Sequence, residues 1–210
     1  MSTLEARDVA ASIDSEVLLA PVSLTVNPGQ AVVVRGPNGS GKTTLLRILS
    51  GALRPTSGDA TIDGMRIDDR STAVRRAISA RIGLPAFARE LTAHEHLRFI
   101  ATTWGRSGAP ATADANDVMA ALGIDHLAQR FVHELSSGQL QLLSLATALV
   151  RPFSVLVLDE PEQRLDEHRL AVVAAVLCAK IDAGAAVVIA SHSADLVAAL
   201  PGSTVTLGDR

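Results

Sequence analysis

Gly36-Pro37-Asn38-Gly39-Ser40-Gly41-Lys42-Thr43-Thr44 has the residue types and spacing to hold a chain of phosphates. The run fits G-x-x-x-x-G-K-[ST]. Its glycines let the backbone turn tightly and aim successive N–H groups at phosphate oxygens, and the helix that follows adds its positive N-terminus. In this reading Lys42 reaches the β- and γ-phosphates and the Thr43 hydroxyl holds Mg²⁺. A second anchor is Val155-Leu156-Val157-Leu158-Asp159-Glu160, in which four apolar residues deliver two carboxylates. Adjacent carboxylates repel unless their tasks differ. Asp159 fits the Mg²⁺-linked task, which frees Glu160 to orient and deprotonate an attacking water. The two anchors together predict a protein that binds a nucleoside triphosphate.

These residues need elements to position them. Ala31–Val34 before the glycine loop is a β-branched run suited to a buried parallel strand, and Leu45, Leu46, Ile48 and Leu49 after it recur at helical spacing. The order strand, loop, helix is the one phosphate binding requires. Strands are also predicted at 4–10, 22–26, 60–62, 81–84, 155–158, 185–190 and 204–207. Helices are predicted from the P-loop to Gly51, from Thr92 with Glu95 as a capping pair, from Asp114 or Asn116, from Ser136 to Val150, and from Glu167 to Asp182. Gly105 to Ala113 reads as a linker. Alternating strands and helices around a P-loop predict an α/β protein: a three-layer P-loop NTPase core with a mostly parallel sheet and an N-terminal antiparallel β part. We expect one domain over residues 1–210, its core formed by about 1–84 and 136–210. An α-helical subdomain over about 85–135 is inserted into that core.

Composition narrows the class. The chain has 210 residues, 48% of them hydrophobic but only 2% aromatic, which predicts an aliphatic core. A net charge of −3 argues against a nucleic-acid partner, and the arginines between Arg66 and Arg81, interspersed with Asp68 and Asp69, read as a solvated face. One cysteine, Cys178, excludes an internal disulfide and fits a reducing compartment. Glu5, Arg7 and Asp8 interrupt the N-terminus as a signal peptide, and the longest apolar stretch, 183–190, is far short of a membrane span. We expect a cytosolic chain. His94 and His96 stand two apart on a helix and face different ways, which disfavours a metal pair.

Ser136, Gly138 and Gln139 stand with Ser137 at the start of a predicted helix, which taken alone reads as a capped helix start. The alternative is a second anion site with no phosphate of its own, formed by the outward N–H groups. An anion site distant from the P-loop suggests two protomers enclosing two nucleotides. Leu135-Ser136-Ser137-Gly138-Gln139-Leu140-Gln141 resembles the signature sequence of ABC-type ATPases. Leu165-Asp166 is similar to that family's D-loop, Ala190-Ser191-His192 to its switch histidine, and Leu91-Thr92 with Glu95 and Leu97 to its L-T-x-x-E-x-L segment. The motifs stand in the family's order and cover essentially the whole chain. The resemblance implies the ATP-hydrolysing subunit of an ABC transporter, with ATP and Mg²⁺ bound and a head-to-tail dimer of ATPase subunits, homo- or heterodimeric. It also implies a separate transmembrane permease subunit that holds the chain at the cytosolic face of the membrane. By the same resemblance, Ser136, Gly138 and Gln139 of one copy meet the γ-phosphate held by the other. His192 contacts the γ-phosphate within its own copy, Asp166 reaches across the interface, and Lys42, Glu160 and His192 carry catalysis. The chain's compactness and short C-terminus, which leave no room for a regulatory domain, resemble small exporter subunits, including those of the haem-exporter type.

The departures are equally specific. Ala11, Ser12 and Ile13 stand where the family carries an aromatic residue that stacks on adenine. No glutamine lies between Gly83 and Leu91, where the family places one that approaches Mg²⁺ and the attacking water; Pro85 or Ala86 stands there instead. Ser137 replaces the commoner glycine, Leu142 a basic residue, and Glu162-Gln163-Arg164 the usual small residues of the D-loop. These leave open a weakly catalytic partner in a heterodimer, and, as a separate class, a soluble ABC ATPase outside transport. Phe87, Phe99 and Trp104 are expected to cluster where the permease docks, or else to fill the helical core.

Overall fold

The computed structural model describes residues 2–14 and 16–208. Two sheets are present. Strands β1 (Leu4–Ile13), β2 (Glu16–Val26), β4 (Ser57–Ile62) and β5 (Met65–Arg66) form an antiparallel sheet in the order β2-β1-β4-β5. Strands β3 (Ala31–Arg35), β6 (Ile78–Arg81), β7 (Val155–Asp159), β8 (Ala186–Ala190) and β9 (Gly202–Thr206) form a parallel sheet in the order β6-β7-β8-β3-β9. The helices are α1 (Lys42–Leu49), α2 (Thr72–Ala77), α3 (Ala93–Thr103), α4 (Ala109–Ala121), α5 (Ser137–Leu149), α6 (Glu167–Asp182) and α7 (Ala194–Ala199). Short 3-10 turns at Asp125–Leu127 and Val132–Glu134 lead from α4 to α5.

Side-chain alternation in the parallel strands splits the interior in two. Val32, Val34, Val155, Val157, Ala186 and Val188 face the antiparallel sheet and α1, joining Leu4, Val9, Leu45, Leu46, Leu49 and Ile62 in one core. Val33, Leu156, Leu158, Val187 and Ile189 face the other way, onto α3 to α7, with Leu97, Met119, Leu143 and Leu177 among their neighbours. A sheet buried on both faces needs near-continuous apolar strands, and β7 and β8 are that. The three layers are the antiparallel sheet with α1, the parallel sheet, and the helices.

Several boundaries differ from expectation. The strand predicted at 81–84 lies at Ile78–Arg81, three residues earlier, where its register pairs Ile78 with Val155 and Arg81 with Leu158. Helix α4 begins at Ala109, inside the stretch read as a linker, because Pro110 sits in its first turn, where a missing N–H costs nothing. The region read as a solvated arginine face contains α2, capped by the Ser71 hydroxyl and anchored by buried Val74. Arg66, Arg70, Arg75 and Arg76 are exposed, but Arg81 is only 5% exposed. Among the described residues, no helix is long and apolar enough to cross a membrane.

Candidate active site

Register brings three strand ends together. Val34 of β3 and Asp159 of β7 both pair with Ala190 at the end of β8. The P-loop leaves β3, the two carboxylates leave β7, and Ser191-His192 leaves β8, all from one edge of the sheet. This is where open parallel sheets bind ligands.

The P-loop needs glycine at position 41. Gly41 has φ +97°, and a Cβ there would lie 2.6 Å from the Leu18 carbonyl and 2.9 Å from the Leu19 side chain, because β2 packs directly on the loop. Lys42 is buried, and its Nζ donates to the carbonyls of Gly36 at 2.8 Å and Pro37 at 3.0 Å, which folds the ammonium back over the loop. Ser40 is buried with a hydroxyl that finds no partner within the protein, and it lies outside the nucleotide cleft, beneath the loop beside Leu19, Thr206 and Leu207. The Thr43 hydroxyl donates to Asp159 Oδ2 at 2.8 Å, so the two residues expected at a metal ion meet. Asn38, Gly39, Gly41, Lys42, Thr43, Thr44 and Glu160 line one cleft of about 280 Å³.

Glu160 has φ +45°, a left-handed conformation that costs a non-glycine residue about 1–2 kcal/mol. The surroundings over-determine it. Its N–H donates to the Ala190 carbonyl at 2.9 Å. Its carbonyl accepts from Gln141 Nε2 at 3.1 Å, the Gln163 N–H at 3.2 Å and an Arg81 guanidinium nitrogen at 3.4 Å. The carboxylate faces His192, with Nε2 to Oε1 at 3.5 Å, and accepts from Gln163 Nε2 at Oε2, 2.6 Å away.

Arg81 and Gln141 are functional neighbours that sequence reasoning missed. Burial pulls the Arg81 guanidinium below the usual arginine range, and the carboxylates of Asp159, Glu162 and Glu160 oppose that fall. Gln141 is 3% exposed and also donates to the Pro161 carbonyl at 3.2 Å, which ties α5 to the end of β7. Its place within the signature run was a signal, since a buried glutamine needs partners for its amide.

The signature residues stand elsewhere. Ser136 caps α5: its hydroxyl accepts from the Gln139 N–H at 3.3 Å, and Gln139 Oε1 accepts from the Ser136 N–H at 2.9 Å. None of the four lines the P-loop cleft. Gly138 instead packs on the chain's own D-loop, where a Cβ would meet the Arg164 carbonyl at 2.9 Å. Asp166 caps α6, accepting from the Arg169 N–H at 2.8 Å. The three aromatics do not cluster. Phe87 meets the His96 ring edge-on at 5.2 Å, Trp104 lies under the Arg151 guanidinium at 3.5 Å, and Phe99 is 62% exposed. Trp104 stands five positions after Phe99, just past the end of α3, about 140° further around an ideal helix. His96 is buried, with Nε2 accepting from the Ala88 N–H at 3.0 Å and Nδ1 2.9 Å from the Thr92 carbonyl.

The protein-family model described as "ABC transporter" matches residues 19–163. The chain is 34% identical over 194 residues to the cytochrome c biogenesis ATP-binding export protein CcmA of Xanthomonas campestris pv. campestris (strain 8004), covering 91% of this chain and 87% of that protein. It is 36% identical over 194 residues to the protein of the same name from Paracoccus denitrificans (strain Pd 1222), covering 91% and 83%. Among solved structures, it is similar to the ATP-binding subunit of an ABC transporter, with TM-score 0.86 and 26% identity over 97% of this chain and 85% of that one. The fold is also that of a dimeric bacterial ABC transporter cassette, with TM-score 0.86 and 24% identity over 98% and 94%.

Proposed function

The chain belongs to the ABC transporter family as an ATP-binding subunit, and on that premise we propose that it hydrolyses Mg²⁺-ATP to drive an exporter through a separate transmembrane subunit. The observation that carries the reading is the convergence of Lys42, Thr43, Asp159, Glu160 and His192 where β3, β7 and β8 end side by side. Export linked to cytochrome c biogenesis is the substrate class suggested by the relatives, and the inner face of the membrane is the place suggested by a permease partner.

The residues do the following work. P-loop N–H groups and the Lys42 ammonium receive the β- and γ-phosphates. Thr43 and Asp159 present two hard oxygens 2.8 Å apart, the donor chemistry that Mg²⁺ selects. When bound there, Mg²⁺ would supply positive charge to the phosphate oxygens. Glu160 orients a water for in-line attack and takes its proton, and His192, 3.5 Å from the Glu160 carboxylate, contacts the γ-phosphate held by the same copy. The signature run Ser136–Gln139 lies outside the P-loop cleft, so it serves the nucleotide of a second ATPase subunit in a head-to-tail dimer, with Asp166 at that interface.

The test is Mg²⁺-ATP turnover against protein concentration, with Glu160→Gln beside the parent chain. The expected rate rises faster than linearly and falls at least about a hundredfold in the variant, while nucleotide binding persists. Turnover that survives in Glu160→Gln would overturn the assignment of the base.

A further inference from the structure

Glu162-Gln163-Arg164, the bulky D-loop run, is not accounted for by nucleotide binding. The structure shows where its side chains go. Glu162 Oε1 accepts three hydrogen bonds from the loop after β8: the Ser191 hydroxyl at 2.6 Å, the His192 N–H at 2.8 Å and the Ser193 N–H at 3.3 Å. Its other oxygen is enclosed and has no hydrogen-bond partner, but the buried Arg81 guanidinium lies close enough to feel its charge. Gln163 turns the opposite way and places its amide 2.6 Å from Glu160 Oε2. Adjacent D-loop residues therefore hold the switch loop and the catalytic carboxylate at the same time. Small residues at 162 and 163 could do neither.

We propose that Glu162 and Gln163 are positioning residues for hydrolysis, Gln163 fixing the carboxylate of Glu160 and Glu162 fixing the loop that carries His192. The proposal rests on the reading of Glu160 as the water-orienting base. Gln163 donates to Oε2 at 2.6 Å and the His192 ring stands 3.5 Å from Oε1, so the carboxylate is tethered at one oxygen and flanked at the other. A freely rotating carboxylate would meet the attacking water in few of its orientations. The segment 82–91 carries no glutamine that could do this, and its strand ends in Arg81, which holds the backbone of Glu160 and not its carboxylate. The amide at the base is thus supplied by the D-loop of the same chain. Glu162 makes the arrangement rigid, since a charged acceptor with three donors holds one loop conformation.

The experiment compares Gln163→Met, which keeps length and removes the donor, with Gln163→Lys, which restores a donor of similar reach. Gln163 is exposed, so neither variant disturbs the core. Measured on the assembled ATPase, Gln163→Met should lower kcat about tenfold with the KM for ATP within about twofold, and Gln163→Lys should recover most of the loss. Glu162→Ala should also lower kcat, and Glu162→Gln, which retains an acceptor, should retain most of it. Full kcat in Gln163→Met, or a rise in KM at unchanged kcat, overturns the proposal. An inactive Glu160→Gln beside a fully active Gln163→Met would sink the bracket alone. An active Glu160→Gln would sink the base assignment and the bracket with it.

Discussion

Arg81 shows what a single buried charge does at this site. Its guanidinium has left water, yet Nε has no partner and one terminal nitrogen reaches only the Glu160 carbonyl. Isolated burial of that kind is unfavourable. The negative charges of Asp159, Glu162 and Glu160 oppose that cost by favouring the charged guanidinium. Replacing it with a neutral side chain of similar volume leaves those carboxylates without a counter-charge. Arg81→Met should therefore destabilise the fold by about 2 kcal/mol, lowering the thermal midpoint by roughly 4–8 °C, and should reduce turnover as well. Calorimetry and turnover of one preparation check both. A midpoint equal to the parent's would mean that Arg81 is dispensable as a counter-charge. The role was hidden in the sequence because Arg81 ends a run of arginines whose other members are solvent-facing. Only the three-residue shift of β6 turns it inward. P-loop and carboxylate residues were legible, since local spacing alone defines their chemistry. Gln163 was not, because its partner depends on the path of a loop.

At the scale of elements, side chains at helix ends and on buried faces carry the site. Gln141 projects from α5 and gives both amide hydrogens to backbone carbonyls at the end of β7, those of Glu160 and Pro161. Gln141→Leu matches the volume but strips the buried Pro161 carbonyl of its donor and leaves the Glu160 carbonyl with two of its three. We expect a loss of about 2 kcal/mol in stability and a lower kcat, with ATP affinity near that of the parent, since no P-loop contact changes. Equal stability in chemical denaturation would refute this. Helix α3 offers a control. Thr92 and Glu95 form a reciprocal capping box, the Thr92 N–H donating to Glu95 Oε2 at 2.8 Å. Thr92→Ala should cost about 1 kcal/mol, a fall of roughly 2–4 °C in midpoint, and leave kcat unchanged. A large loss of activity there would link the cap to catalysis. The cap was readable because T-x-x-E is local. The start of α4 was not, because Gly105 to Ala113 has linker composition and only Pro110 marks the helix.

On the proposed head-to-tail reading, the P-loop cleft and the opening of α5 are two halves of one site, and they do not meet within one chain. The P-loop cleft has Lys42 and Glu160, while Ser136 to Gln139 open α5 outside it. If two copies pair head to tail, each site takes its P-loop from one copy and its signature from the other. A chain with a defective P-loop then still lends a sound signature, and the converse holds. Lys42→Ala removes the ammonium proposed to meet the phosphates, and Ser136→Arg blocks the opening of α5 without touching the core, since Ser136 is exposed. Each variant alone should be inactive, because every site in its homodimer has one spoiled half. Mixed in equal amounts, the two should recover about a quarter of parental turnover, half the dimers being mixed and each mixed dimer holding one intact site. Recovery requires exchange between copies, so it should rise with time after mixing and with protein concentration. If the mixture stays as inactive as its components while subunits exchange, the two halves do not act on one nucleotide.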